Sequence, residues 1–165
     1  MGMDVYGLKP KTEKGKYFRN NVWWWHPLWS YCCHTCPELT DKVESGHDNS
    51  GDGLNAVDSR RLGFVIQQSV ANGAAASYVT EYDKDTTSLP DEQCYCTKES
   101  LMDLFTMSGT VPFPKTTGNK DPNPECNLCR GAGMQPNWNK NYHINVENIE
   151  KFAEFLIDCG GFEIC

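Results

Sequence analysis

Long apolar runs are missing from this 165-residue chain. A membrane-spanning helix needs about 20 consecutive apolar residues, and no stretch comes close. The opening Met1-Gly2-Met3-Asp4 has neither the charged nor the apolar region of a secretory signal. Gly2 is no myristoylation signal either, because Tyr6 stands where Ser or Thr is required. These absences predict a cytoplasmic protein with no membrane partner. Basic charge is scarce as well: 15 Lys and Arg stand against 22 Asp and Glu, a net charge of −7. That balance disfavours general nucleic-acid binding, which needs a basic face to meet phosphates. The local exception is Lys9, Lys11, Lys14, Lys16 and Arg19, set against only Asp4 and Glu13. A solvated loop is the plain reading of that cluster; a docking patch for an acidic partner is the sharper one. The sequence also lacks H-E-x-x-H, G-x-S-x-G, a phosphate loop and any tandem repeat.

What is present suits one domain over residues 1–165, since domains commonly run to about 100–150 residues. Hydrophobic residues make up 39% of the chain, with 5 Trp, 7 Tyr and 7 Phe to fill a core. Residues 3–8 alternate as a short strand, and a basic loop follows to about Asn20. Pro27 fits the first turn of a helix, with Leu28, Tyr31 and Cys32 at helical spacing. Pro37 ends that helix near Thr35. The clearest helix runs from about Ala56 to Ala71, with Leu62, Val65, Ile66 and Val70 on one face and Asn72-Gly73 as its stop. Another spans Ala74 to about Asp85, with Tyr78, Val79 and Tyr82 inward. Residues 91–140 hold Pro, Gly and Asn in abundance and few helix formers beyond Leu101–Phe105. A last helix runs from Val146 to Asp158, capped by Asn145 and ended by Gly160, before a closing strand at Phe162-Glu163-Ile164-Cys165. The fold class expected is therefore α+β, mainly α. It has a small helical core, short terminal strands and a loop-rich, zinc-bound insertion over about 91–140.

Nine cysteines cannot all pair within one chain, and in a reducing compartment clustered cysteines more often bind metal. Cys126-Asn127-Leu128-Cys129-Arg130-Gly131-Ala132-Gly133 reads C-x-x-C-x-G-x-G. Two intervening residues let both thiolates reach one ion from a tight turn, and the glycines let backbone N–H groups face the sulfurs. Zn²⁺ needs four ligands, and Cys94 and Cys96 are the partner pair. Four thiolates close the shell, so the role assigned is structural. A second cluster, Cys32-Cys33-His34-Thr35-Cys36, has ligand spacing at Cys33 and Cys36 with His34 between them. Buried structural thiols are the plain reading there, and a second metal or a substitute partner pair is the alternative. Cys159 and Cys165 are expected in the core.

The loop Gly46–Gly53 carries Asp48-x-Ser50-x-Asp52-Gly53, the first half of a Ca²⁺ loop. Ala56 and Ser59 fail the second half, so a hydrogen-bonded turn capping the next helix is expected in its place. His47 and Asp48 are candidates for catalysis, with His26 or His34 nearby. Trp23, Trp24, Trp25 and Trp29 cannot all face one way. Core packing is the default for them, and a partner or ligand surface is the alternative.

Several segments carry a family resemblance: Met1-Gly2-Met3-Asp4-Val5-Tyr6-Gly7, the run Tyr17-Phe18-Arg19-Asn20-Asn21-Val22-Trp23-Trp24-Trp25 with Pro27-Leu28-Trp29, and the ending from Val146-Glu147-Asn148 through Phe152-Ala153-Glu154-Phe155-Leu156 to Gly160-Gly161-Phe162-Glu163-Ile164-Cys165. Together they resemble a family of uncharacterised bacterial and bacteriophage proteins over most of the chain. The resemblance implies two C-x-x-C-x-G-x-G knuckles similar to the zinc modules of J-domain chaperones. Cys126 and Cys129 match the second knuckle. Cys94 and Cys96 fall at the first, where Thr97-Lys98-Glu99 departs from the pattern. No J-domain is visible, so no chaperone role follows. The expectation is a zinc-stabilised, phage-associated accessory protein that binds a host protein or a small ligand, in a counter-defence role. The alternative is a small hydrolase using His47 and Asp48.

Overall fold

A computed structural model describes residues 2–94, 96–97 and 121–165. The fold is α+β and mainly α. The chain divides into two compact units, one made of Met1–Ser88 with Asn141–Cys165 and the other of Leu89–Lys140.

The larger unit opens with strand β1 (Gly2–Gly7), a 3₁₀ turn at Glu13–Gly15 and strand β2 (Tyr17–Asn21). The sequence reading places a loop where β2 lies. β2 alternates exposed and half-buried residues and has no fully buried position, so it lacks an apolar face to announce it. Helix α1 (Val22–Thr35) follows directly, then the single-turn α2 (Pro37–Thr40), α3 (Ala56–Ala71), α4 (Ala74–Ser88), α5 (Val146–Asp158) and strand β5 (Phe162–Ile164). β1 is the centre of a three-stranded antiparallel sheet, β2-β1-β5, with Val5 opposite Ile164 and Val5 opposite Phe18 on its two sides. The segment after Gly51 extends that sheet. Ile164 N donates to the Asp52 carbonyl at 2.8 Å and Phe162 N to the Leu54 carbonyl at 2.9 Å.

Helix starts follow their side-chain caps. Asn21, Asn55 and Asn145 each accept amide N–H bonds from the first turn of α1, α3 and α5. Such a cap is worth about 1 kcal/mol against alanine. Asn21 moves the start of α1 five residues ahead of the expected position, so Pro27 sits inside the helix and not in its first turn. A proline there removes the N–H that would bond the carbonyl four residues back. That carbonyl belongs to Trp23, and the His143 amide takes it at 2.9 Å. A contact from a distant segment thus makes an interior proline tolerable.

The core packs α1, α3 and α5 against the sheet. Trp25, Leu28, Leu62, Ile66, Ile149, Phe152 and Leu156 are fully buried. Trp25 stacks on Trp29 with centroids 5.8 Å apart and meets the edge of Phe152 at 5.5 Å. Tyr78, Val79 and Tyr82 on α4 lie partly buried against this cluster. Cys159 is fully buried as expected, whereas Cys165 is exposed. β5 ends at Ile164 and leaves Cys165 one residue past the last buried position.

The smaller unit has two short paired strands, β3 (Glu92–Gln93) and β4 (Met134–Gln135). Its buried residues, among those described, are Cys94, Thr97, Cys129, Gly133 and Gln135, with no aliphatic or aromatic side chain among them. The expected helix-forming stretch Leu101–Phe105 lies outside the described residues. No helix among the described residues is long and apolar enough to cross a membrane.

Candidate metal centre

The C-x-x-C turn is built by backbone hydrogen bonds. Arg130 N donates to the Cys126 carbonyl at 2.8 Å, and Ala132 N to the Cys129 carbonyl at 2.9 Å. Arg130, Gly131 and Gly133 hold φ of 50°, 85° and 75°. Glycine is the residue that takes such angles without steric cost, which is the work of the two glycines in C-x-x-C-x-G-x-G. β3 and β4 deliver the other pair: Cys94 follows β3 directly, and its amide donates to the Gly133 carbonyl at 2.8 Å. The Thr97 amide and hydroxyl both close back on the Cys94 carbonyl, at 3.0 and 2.8 Å. This turn therefore does without the glycines of the second knuckle.

The result is one cluster. The ligand atoms of Cys94, Cys96, Cys126 and Cys129 all lie within 4.8 Å of one another. Cys94 Sγ is 3.7 Å from Cys126 Sγ, and Cys96 Sγ is 3.5 Å from Cys129 Sγ. Four sulfurs bonded tetrahedrally to one ion at about 2.3 Å stand about 3.8 Å apart. The separations fit a shared cation and are too long for disulfides, and all nine cysteines are free.

Electrostatics divide the four thiols. Amide N–H groups of Cys129 and Leu128 hold Cys126 below the usual thiol range. Desolvation pushes Cys129 up, but the Gly133 amide, the Cys96 thiol and the Gly131 amide outweigh it and bring Cys129 down to about 6. Cys96 goes the other way. The Asn123 amide lowers it, yet desolvation and the neighbouring sulfurs prevail and raise it to about 12. Cys94 is raised too: the Cys96 amide lowers it, and desolvation with the Cys129 and Cys126 sulfurs overcomes that pull. Four negative sulfurs this close repel each other unless a cation sits among them, and a bound divalent ion deprotonates its thiol ligands outright. The cluster can hold a metal ion of the zinc class.

The other sequence candidates fall elsewhere. Cys32 and Cys36 are buried in the core with Cys33 to the side. Burial raises the thiols of all three, as inert structural cysteines require. His34 packs on the Tyr78 ring at 5.2 Å. No metal-ligating group of three or more side chains forms there among the described residues. In the Gly-rich loop, Asp52 accepts from Ser45 N at 2.9 Å and from Gly53 N at 2.8 Å. Its carboxylate thus closes the loop, while Asp48 and Ser50 are exposed. Asp48, Ser50 and Asp52 belong to no such ligand group among the described residues. The cap of α3 comes from Asn55 and not from that loop.

His26 and His47 do meet, their Nδ1 atoms 2.9 Å apart. Desolvation and the neighbouring His26 lower the pKa of His47, against a smaller opposite pull from Asp48. Trp25 and Trp29 belong to the core, so they offer no surface. Trp23 and Trp24 are half-buried, against Tyr142 at 4.9 Å and His143 at 5.5 Å. Trp24 also lines a surface cavity of ≈ 480 Å³ with Gly2, Arg19, Asn20 and Asn21. Arg19 escaped the sequence reading as a pocket residue; its place in the basic N-terminal cluster was the only signal.

No protein-family model, curated protein or solved structure matches the chain.

Proposed function

We propose that this chain is a zinc-stapled binding protein. The observation that carries the reading is the convergence of four cysteine ligand atoms within 4.8 Å, in a unit whose described residues bury no aliphatic or aromatic side chain. A unit without an apolar core needs an external staple, and metal binding then supplies folding free energy directly. Thiolate from four cysteines fills the tetrahedral shell of Zn²⁺ and leaves no position for a water nucleophile. That argues for a structural ion and a recognition role.

The partner is a host protein or a small ligand in a bacterial cytoplasm, the chain being phage-associated and acting in counter-defence. Support for recognition comes from the Trp24 and Arg19 cavity, which combines a π-face with a guanidinium and two amides. The test has two arms. The zinc-loaded, tagged chain is expected to retain a host protein or metabolite from bacterial lysate supplemented with defence-system components. Retention should weaken when Trp24 and Arg19 are both replaced by alanine. Retention no greater than a tag-only control would remove the proposal. The second reading, a small hydrolase using His47 and Asp48, draws on the His26–His47 contact. Turnover of an ester and phosphodiester panel that vanishes on His47→Ala would favour it over binding.

A further inference from the structure

We propose that His26 and His47 form a second metal site, separate from the cysteine centre, which takes a tetragonal divalent cation such as Ni²⁺ through the two Nδ1 atoms. The Nδ1 atoms stand 2.9 Å apart. Two metal–imidazole bonds of about 2.05 Å meeting at a right angle span about 2.9 Å, whereas a tetrahedral angle spreads them to about 3.3 Å. That spacing suits adjacent ligands on a square-planar or octahedral ion, the geometry of Ni²⁺ and Cu²⁺ sites built from N and O donors, and is equally the length of an imidazole N–H···N hydrogen bond.

The pair is held from behind by the core. His26 lies on α1 between the fully buried Trp25 and the buried Pro27. His47 follows Gly46, whose carbonyl accepts from Trp25 Nε1 at 2.9 Å. A Cβ on Gly46 would lie 2.0 Å from Trp29 Nε1, so only glycine lets the loop settle onto the indole. Two core tryptophans therefore fix the backbone that presents His47 over His26. A site held by rigid neighbours loses little freedom when an ion arrives. His26 also lines a small cavity of ≈ 210 Å³ with Pro27, Ser30, Tyr82 and Tyr142. His47 is exposed, so water can complete the coordination.

The experiment is a calorimetric titration of NiCl₂ into the zinc-loaded chain, with zinc content checked before and after. One saturable Ni²⁺ equivalent is expected, with zinc retained. His47 is exposed on its loop, so His47→Ala leaves the core untouched; it should weaken Ni²⁺ at least about tenfold. His26→Ala should do the same, and the controls His34→Ala and His143→Ala should bind as the parent does. No saturable equivalent would overturn the proposal and leave the contact as an imidazole-to-imidazole hydrogen bond. Unchanged affinity in both His26→Ala and His47→Ala, or equal loss in His34→Ala, would overturn it as well.

Discussion

Replacing Cys129 by serine is expected to empty the cysteine centre, dropping bound zinc from about one ion per chain to less than about a tenth. Cys129 is buried, and its sulfur is 3.5 Å from that of Cys96. A hydroxyl is neither soft nor readily ionised, so it cannot replace the thiolate. With the ion gone, residues 89–140 have no apolar core among their described positions to fall back on. Amide hydrogen exchange across 121–140 should then rise to the rate of an open chain. Cys126→Ser and treatment of the parent with a strong chelator should match it, whereas Cys33→Ser and Cys165→Ser should keep their zinc. Elemental analysis and exchange mass spectrometry read both effects. A chelated parent whose exchange pattern did not change would remove the metal as an organiser of this unit.

The second large effect is expected at Trp25→Ala, a loss of about 3–5 kcal/mol from the stability of the larger unit. Trp25 is fully buried, stacked on Trp29 and edge-on to Phe152. Its removal opens a cavity among three elements and strips the Gly46 carbonyl of its indole donor. A buried acceptor left unpaired costs about 1–3 kcal/mol by itself. Whole-domain stability is typically about 5–15 kcal/mol, so a large share of it would go. Urea denaturation followed by tryptophan fluorescence measures the shift. Trp24→Ala, at a half-buried surface position, should move the midpoint far less. Equal effects at the two positions would contradict the assignment of Trp25 to the core.

The contrast between those two tryptophans marks what could be read from residues in order. α3 and α5 were legible because their signals are local: apolar residues at helical spacing and a terminating glycine in both, with an asparagine cap for α5; the Asn55 cap of α3 was not read. The C-x-x-C-x-G-x-G knuckle was legible for the same reason, since all of its geometry lies within eight residues. Its partner pair was identified by requiring four ligands. β2 was not legible, because its only support is a register with β1 across an intervening turn. Nor was the early start of α1, whose interior proline is made harmless by His143, far along the chain. The His26–His47 contact is of this second kind as well. It follows from how Gly46 lies on two indoles, and no spacing rule links Trp25 to Gly46.

The larger unit is discontinuous: its two parts, Met1–Ser88 and Asn141–Cys165, are joined by the whole of Leu89–Lys140. Bringing α5 onto α3 therefore closes a loop, and the entropy lost grows with the logarithm of that loop's length. A metal linking Cys94 to Cys129 short-circuits most of the intervening chain and cuts the effective loop roughly threefold, worth about 1 kcal/mol by the same relation. The ion would then favour assembly of a helical core that supplies none of its ligands, through chain connectivity alone.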